Sequence, residues 1–176
     1  FSRLAGALAA SGADIVDARI FTMTNGMALD VFTVQDAAGG GAFESGDKLA
    51  KLSVMIERVL SGQLKPLHDL AKRKALHASR TRVFHVPPRV LIDNNASTTH
   101  TVIEVNGRDR PGLLYDLTRA LSNLTLQISS AKISTYGEKA IDVFYVKDVF
   151  GLKVTHDNKL AQIREKLLHA LADPVG

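Results

Sequence analysis

The chain has 176 residues, a net charge of +4, 45% hydrophobic and 23% charged residues, and neither cysteine nor tryptophan. That length suits one ordinary domain or two small ones with an apolar core, and excludes a multidomain enzyme and wholesale disorder. The absence of cysteine removes disulfides, thiolate zinc sites and cysteine nucleophiles, and with no apolar run near 18 residues and no secretory pattern at Phe1, a cytoplasmic protein with no membrane partner is expected.

In chain order, Phe1 to Ala10 reads as a small-residue helix and Ala13 to Met23 as a strand. A turn at Asn25-Gly26 then leads into a second strand, Ala28 to Gln35. Leu49, Leu52, Ile56 and Leu60 recur at helical spacing. A basic stretch follows. From Arg58 to Arg89 there are eight Lys or Arg residues (Arg58, Lys65, Lys72, Arg73, Lys74, Arg80, Arg82 and Arg89) against one acid, Asp69, with a helical pattern near 64–77. The apolar run after Pro87-Pro88 is a candidate strand near 88–93, expected to close the first half of the chain. Thr101-Val-Ile-Glu-Val is β-branched and strand-like, and Leu113, Leu114, Leu117, Leu121 and Leu124 mark a helix with Pro111 suited to its first turn. Leu126 to Thr135 and Lys139 to Asp148 form a hairpin around Gly137, and Asp157 is placed to cap a last helix ending near Leu171.

These elements repeat. Phe1-Ser-Arg-Leu-Ala-Gly-Ala-Leu matches Leu114-Tyr-Asp-Leu-Thr-Arg-Ala-Leu, Ile15-Val-Asp-Ala-Arg-Ile matches Ile128-Ser-Ser-Ala-Lys-Ile, and Asp30-Val-Phe matches Asp142-Val-Phe. The separation drifts from 113 to 112 residues between segments, as loop-length changes produce. The expected fold class is α+β: two ferredoxin-like βαββαβ modules with antiparallel sheets and helices on one face, the first lacking its opening strand. The expected boundaries are 1–60 plus the closing strand near 88–93, a basic helical linker over 61–87, and a second module over 98–174.

The segment Asn106-Gly-Arg-Asp-Arg-Pro-Gly-Leu-Leu, followed by Tyr115-Asp-Leu-Thr-Arg-Ala-Leu, Ser130-Ala-Lys-Ile-Ser-Thr-Tyr-Gly and Ile141-Asp-Val-Phe-Tyr-Val, strongly resembles an ACT domain. The tandem arrangement, with Phe84-His-Val-Pro-Pro-Arg-Val in its linker, is similar to the C-terminal ACT pair of the GlnD family of bifunctional uridylyltransferase and uridylyl-removing enzymes, which modify the PII nitrogen-signalling protein. The resemblance covers essentially the whole chain. It implies a non-catalytic, glutamine-sensing regulatory region without cofactor, whose parent enzyme uses Mg in catalytic domains that lie outside these residues.

At Asp109-Arg110-Pro111-Gly112-Leu113 a strand ends and a helix begins, so free N–H groups and the positive end of the helix dipole converge on a place suited to a carboxylate. Gly112 lets a ligand approach the backbone; Asp109 can either cap the helix or answer an ammonium group. By the family's pattern the ligand also touches the start of the second strand of a module, which carries over to Gln127 and Ile128 and, more weakly, to Asp14 and Ile15 of the first module. Gln127 is either a hydrogen-bonding contact or an exposed surface residue. Where some relatives carry a histidine two positions before Asp109, this chain has Gly107. The polar row Ser130, Lys132 and Ser134 marks a strand for side-by-side ACT association, within or between chains.

Two other classes compete. An RNA-recognition module shares the topology and suits a basic linker, but Lys139-Ala-Ile-Asp-Val-Phe-Tyr-Val lacks the glycine-aromatic signature and Thr101 to Val105 carries no stacking aromatic, which argues against nucleic acid. An ACT pair serving another enzyme of amino-acid or nucleotide metabolism is the nearer alternative. His68, His77, His85, His100, His156 and His169 form no paired His-Asp set or HExxH helix, so no metal site and no catalytic residue is expected in these residues.

Overall fold

A computed structural model describes residues 1–64 and 86–172. The expected linker helix near 64–77 lies outside the described residues apart from Leu64. Ten elements follow in order: α1 (Ser2–Ser11), β1 (Ala13–Thr22), β2 (Ala28–Asp36), α2 (Gly46–Leu60), β3 (Arg89–Asp93), β4 (Thr101–Arg108), α3 (Leu113–Asn123), β5 (Gln127–Tyr136), β6 (Lys139–Lys147) and α4 (Asp157–Leu171). All six strands form one antiparallel sheet in the order β2-β1-β5-β6-β4-β3. The α+β class with helices on one face holds.

Glycine sets the connections. Gly12 ends α1 in the left-handed conformation, φ 86°, its N–H donating to Ala9 O at 3.2 Å. Gly137, φ 60°, opens the two-residue turn of the β5–β6 hairpin, where a positive φ matches the twist of the flanking strands. The expected caps differ from the observed ones. Gly112 rather than Asp109 is the N-cap of α3, and His156 rather than Asp157 that of α4, neither with a side-chain capping bond.

The two repeats meet where β1 pairs with β5, from Asp17 opposite Ser134 to Phe21 opposite Ser130. Ala18 and Ile20 then share a face with Ala131 and Ile133, and this face continues into Phe144, Val146, Ile103 and Val105. Leu113, Leu117 and Leu121 of α3 and Ile163, Leu167 and Leu171 of α4 cover it, so a single core spans both repeats. Each such side chain contributes about 1.5–3 kcal/mol when fully buried.

The strand near 88–93 does not close the first repeat. β3 runs beside β4, Val90 opposite Val105, on the outer edge of the second repeat, where α4 packs over it. Val90 goes into the core with Val105, while α2 packs mainly on α1 and reaches the first repeat's strands only through Leu52, which joins a small cluster with Ala13 and Phe43. The last helix of each repeat shows the consequence: Ile163, Leu167 and Leu171 of α4 are buried, whereas Leu49 and Leu60 of α2 remain about half exposed.

A polar network pins the other end of β4. Thr101 is fully buried, its hydroxyl donating to Asn94 Oδ1 at 2.8 Å and accepting from the Val154 N–H at 2.9 Å. Asn94 Nδ2 donates to Val154 O at 2.8 Å. Thr101→Val keeps the shape but leaves two buried groups unsatisfied, so urea unfolding of that variant is expected to show a loss of about 1–3 kcal/mol for each orphaned group.

Candidate functional site

The loop from Asp109 to Gly112 is held from three sides. The Asp109 N–H donates to Glu138 O at 2.8 Å, so the β5–β6 turn braces it from below. Arg110 donates through Nη1 to Asp116 Oδ2 and through Nη2 to Ala170 O, both at 2.7 Å. That carbonyl lies in the last turn of α4, where the helix dipole is negative, so the guanidinium ties together the loop, α3 and α4. Arg110 thus clamps the fold through its two terminal nitrogens, while its Nε is buried without a partner beside the cavity that the residue lines. Gly112 has φ 79°, a left-handed conformation that glycine adopts without strain.

This loop roofs a cavity of about 30 Å³ lined by residues of both repeats. Asp109, Arg110, Pro111, Gly112 and Leu113 come from the second repeat, and Asp14 and Ile15 of β1 from the first. The pairing of β1 with β5 is the reason: running antiparallel, it sets the start of β1 against the end of β5, where Thr135 Oγ1 donates to Ile15 O at 3.3 Å. Gln127 and Ile128 do not line the cavity; they sit at the opposite end of β5 from Thr135, eight residues and roughly 26 Å along the strand. The expected contact set thus divides, because a strand start from the first repeat, and not from the same module, completes the space under the loop.

Donors and acceptors face each other here. Between the Leu113 N–H, which donates to Arg110 O, and the Asp116 N–H, which donates to Gly112 O, the N–H groups of Leu114 and Tyr115 have no acceptor among the described residues, and both residues line the cavity. Three carboxylates line it as well: Asp14, which accepts from Gln35 Nε2 at 2.8 Å, Asp109, and Asp142 of β6. Burial, then the charge of Asp14, pushes Asp109 up to about 7, against the Arg110 N–H and guanidinium. Burial, then the charge of Asp109, pushes Asp142 up to about 8, against the Ser134 N–H. Asp142 is 2% exposed and its Oδ1 has no hydrogen-bond partner.

Asp142 was not among the residues the sequence singled out, although a signal was present. On β6 it shares the core-facing register with Ala140, Phe144 and Val146, a carboxylate in an otherwise apolar row. Asp30 holds the matching position in the first repeat and also has a buried Oδ1 without a partner. Gly107 sits close under α4: a Cβ there would lie 2.5 Å from Leu171 Cδ2, so any larger residue requires the Leu171 side chain to move. Among the described residues no group of three His, Cys, Asp or Glu could hold a metal ion, and no helix is long and apolar enough to cross a membrane.

Two helix–strand–strand–helix repeats, with a strand and a loop leading into α3, define an ACT-type α+β fold. A family model described as an ACR9-like, ACT-like domain matches residues 89–176, half of the chain, and the chain belongs to that family. It is 96% identical over 174 residues to a bifunctional uridylyltransferase/uridylyl-removing enzyme of Azospirillum brasilense, covering 99% of this chain and 19% of that protein. It is 56% identical to the enzyme of the same name from Gluconobacter oxydans, over 97% of this chain and 18% of that protein. The Rhodospirillum rubrum counterpart is 54% identical, over 99% and 19%. The chain thus spans about a fifth of the length of these curated relatives.

The raised carboxyls make stability depend on pH in a defined direction. Asp109 and Asp142 hold their protons in the fold up to about 7 and about 8, whereas in the unfolded chain they ionise near 3.8. The folded state therefore binds more protons above pH 4, and stability is expected to fall as pH rises from about 4 through 8. Melting curves recorded at pH 5, 6, 7 and 8 should show a decreasing Tm, and Asp142→Asn should flatten that trend.

Proposed function

We propose that this chain is the amino-acid-sensing region of a bifunctional uridylyltransferase/uridylyl-removing enzyme acting on the PII protein, with glutamine as its ligand. The observation that carries the reading is the seam cavity itself, where unpaired N–H groups at the start of α3 oppose carboxylates drawn from both repeats. The α-carboxylate of an amino acid suits the Leu114 and Tyr115 N–H groups, and its ammonium group suits Asp109 and Asp14. On this reading the parent activity is that of the relatives, bifunctional uridylyltransferase/uridylyl-removing enzymes, and Mg would act in its catalytic domains.

A cavity of about 30 Å³ holds a water, which needs about 10–15 Å³, but not an amino acid. Ligand entry therefore requires the loop, α1 or the β1–β5 seam to shift. Such a shift is what a regulatory region needs: a ligand that binds one arrangement of the repeats tenfold better biases their equilibrium by about 1.4 kcal/mol. Glutamine then reports nitrogen status by favouring the arrangement in which the parent enzyme removes uridylyl groups.

Calorimetric titration with glutamine, glutamate and serine tests this. Glutamine is expected to bind most tightly and with no more than one site per chain, because the second repeat alone contributes a strand-to-helix loop to the cavity. Absence of heat with every amino acid would sink the sensor reading. Asp109→Asn is expected to weaken glutamine by tenfold or more while leaving Tm at pH 8 undiminished, since Asp109 caps no helix and its charge is buried at a cost. A lower Tm with unchanged affinity would assign Asp109 to the fold alone.

A further inference from the structure

Asp142 is an expensive residue for the fold to hold. It sits on the core-facing side of β6, between Val105 of β4 and Ile133 of β5, and is 2% exposed. Its Oδ1 lacks a partner although it lines the cavity. Asp30, at the matched position of the first repeat, also buries an unpartnered Oδ1 on the helix-facing side of its strand. A leucine or valine would fill either place more cheaply if packing were the only demand.

We propose that Asp142 selects for a cationic headgroup in the seam cavity, receiving the ligand's ammonium group together with Asp109 and Asp14. The inference rests on the reading of this cavity as an amino-acid site and names a contact, on β6, that neither the loop motif nor the strand start supplies. The groups that face Asp142 can be enumerated by element. They are Asp109 and Arg110 of the loop, Asp14 of β1 and Tyr115 of α3; α1 presents Ala5, β5 presents Ile133 and Thr135, and the β4 residue opposite is Val105. The one cation among them, Arg110, is held by Asp116 and Ala170 O.

That balance fixes the chemistry of the guest. Three carboxylates and one committed guanidinium leave the cavity short of positive charge, so Asp142 stays protonated and neutral until a cation arrives. An incoming ammonium group keeps its own proton and donates hydrogen bonds to the carboxylates. The Asp142 carboxyl then ionises, and its proton passes to the buffer. A carboxylic acid of the same length without the amine brings no such compensation and is rejected.

The test uses this 176-residue chain at pH 7, titrated with glutamine and with its desamino analogue, glutaramate, in buffers of different ionisation enthalpy. Wild-type protein is expected to release protons as glutamine binds and to bind glutaramate at least tenfold more weakly. In Asp142→Asn, proton release should fall and glutamine affinity should drop tenfold or more. Wild-type affinity and proton release in that variant would overturn the role of Asp142 and leave the amino-acid site standing. Failure of every amino acid to bind the wild-type chain would overturn both readings. Should the variant not fold, glutaramate binding as tight as glutamine, or glutamine binding without proton release, would overturn the proposal from wild-type protein alone.

Discussion

Five residue pairs, from Asp17–Ser134 to Phe21–Ser130, join two short repeats into one sheet, and the position of nearly every other functional group follows from that antiparallel pairing. Because β1 and β5 run in opposite directions, the first residues of β1 come to rest beside the last residues of β5 and beneath the loop that precedes α3. The small side chains Ala18 and Ala131 and the branched Ile20 and Ile133 form the buried side of the seam, so the pairing that builds the cavity is also part of the core. Under the proposed function, a ligand wedged under the loop would work directly against that seam and couple occupancy of the cavity to the relation between the repeats.

Electrostatics and stability oppose each other at this seam. A buried carboxylate costs the fold whenever it is ionised without a counter-charge, and the charge of Asp14 adds to the cost of Asp109 as that of Asp109 adds to the cost of Asp142. The fold meets that cost by keeping protons that a solvated aspartate would lose. On the proposed reading an ammonium group replaces those protons, so the feature that weakens the protein at alkaline pH is the one that would favour a cationic ligand. Arg110 offsets part of the cost at Asp109, but its bonds to Asp116 and Ala170 fix the loop and a single guanidinium does not neutralise three carboxylates.

The repeats match in sequence but not in surroundings. β3 extends the sheet beyond β4 and lies under α4, whereas β2 forms the opposite edge with Leu29 and Val31 about half exposed. Among the described residues only the Gln35–Ala42 bridge flanks that edge, and an edge with apolar side chains on its open face is a pairing surface that folded proteins ordinarily cover. α2 shares in the asymmetry: Leu49 and Leu60 are about half exposed and only Leu52 joins a cluster with strand residues, where Ile163, Leu167 and Leu171 of α4 are buried in the main core.

Much of this was legible beforehand. The matched segments and their period-2 and helical spacings placed nine of the ten elements within a few residues, because local hydrophobic patterning and glycine turns act over short stretches of chain. The tenth, β3, was legible as a strand but not in its partner: Val90 and Ile92 suit the core of either repeat, and only competition for an edge puts them beside β4. The loop Asp109 to Gly112 stood out as a candidate site by its residue types, and Asp14 and Ile15 through the resemblance to the ACT family. What the sequence by itself did not determine was that these two sets share one cavity while Gln127 and Ile128 lie at the far end of the strand. Nor did it bring out Asp142, whose meaning depends on which carboxylates face it. Both facts are set by pairing between residues more than a hundred positions apart, and the energy of a contact or a buried charge depends on its spatial neighbours, which tertiary structure alone assigns.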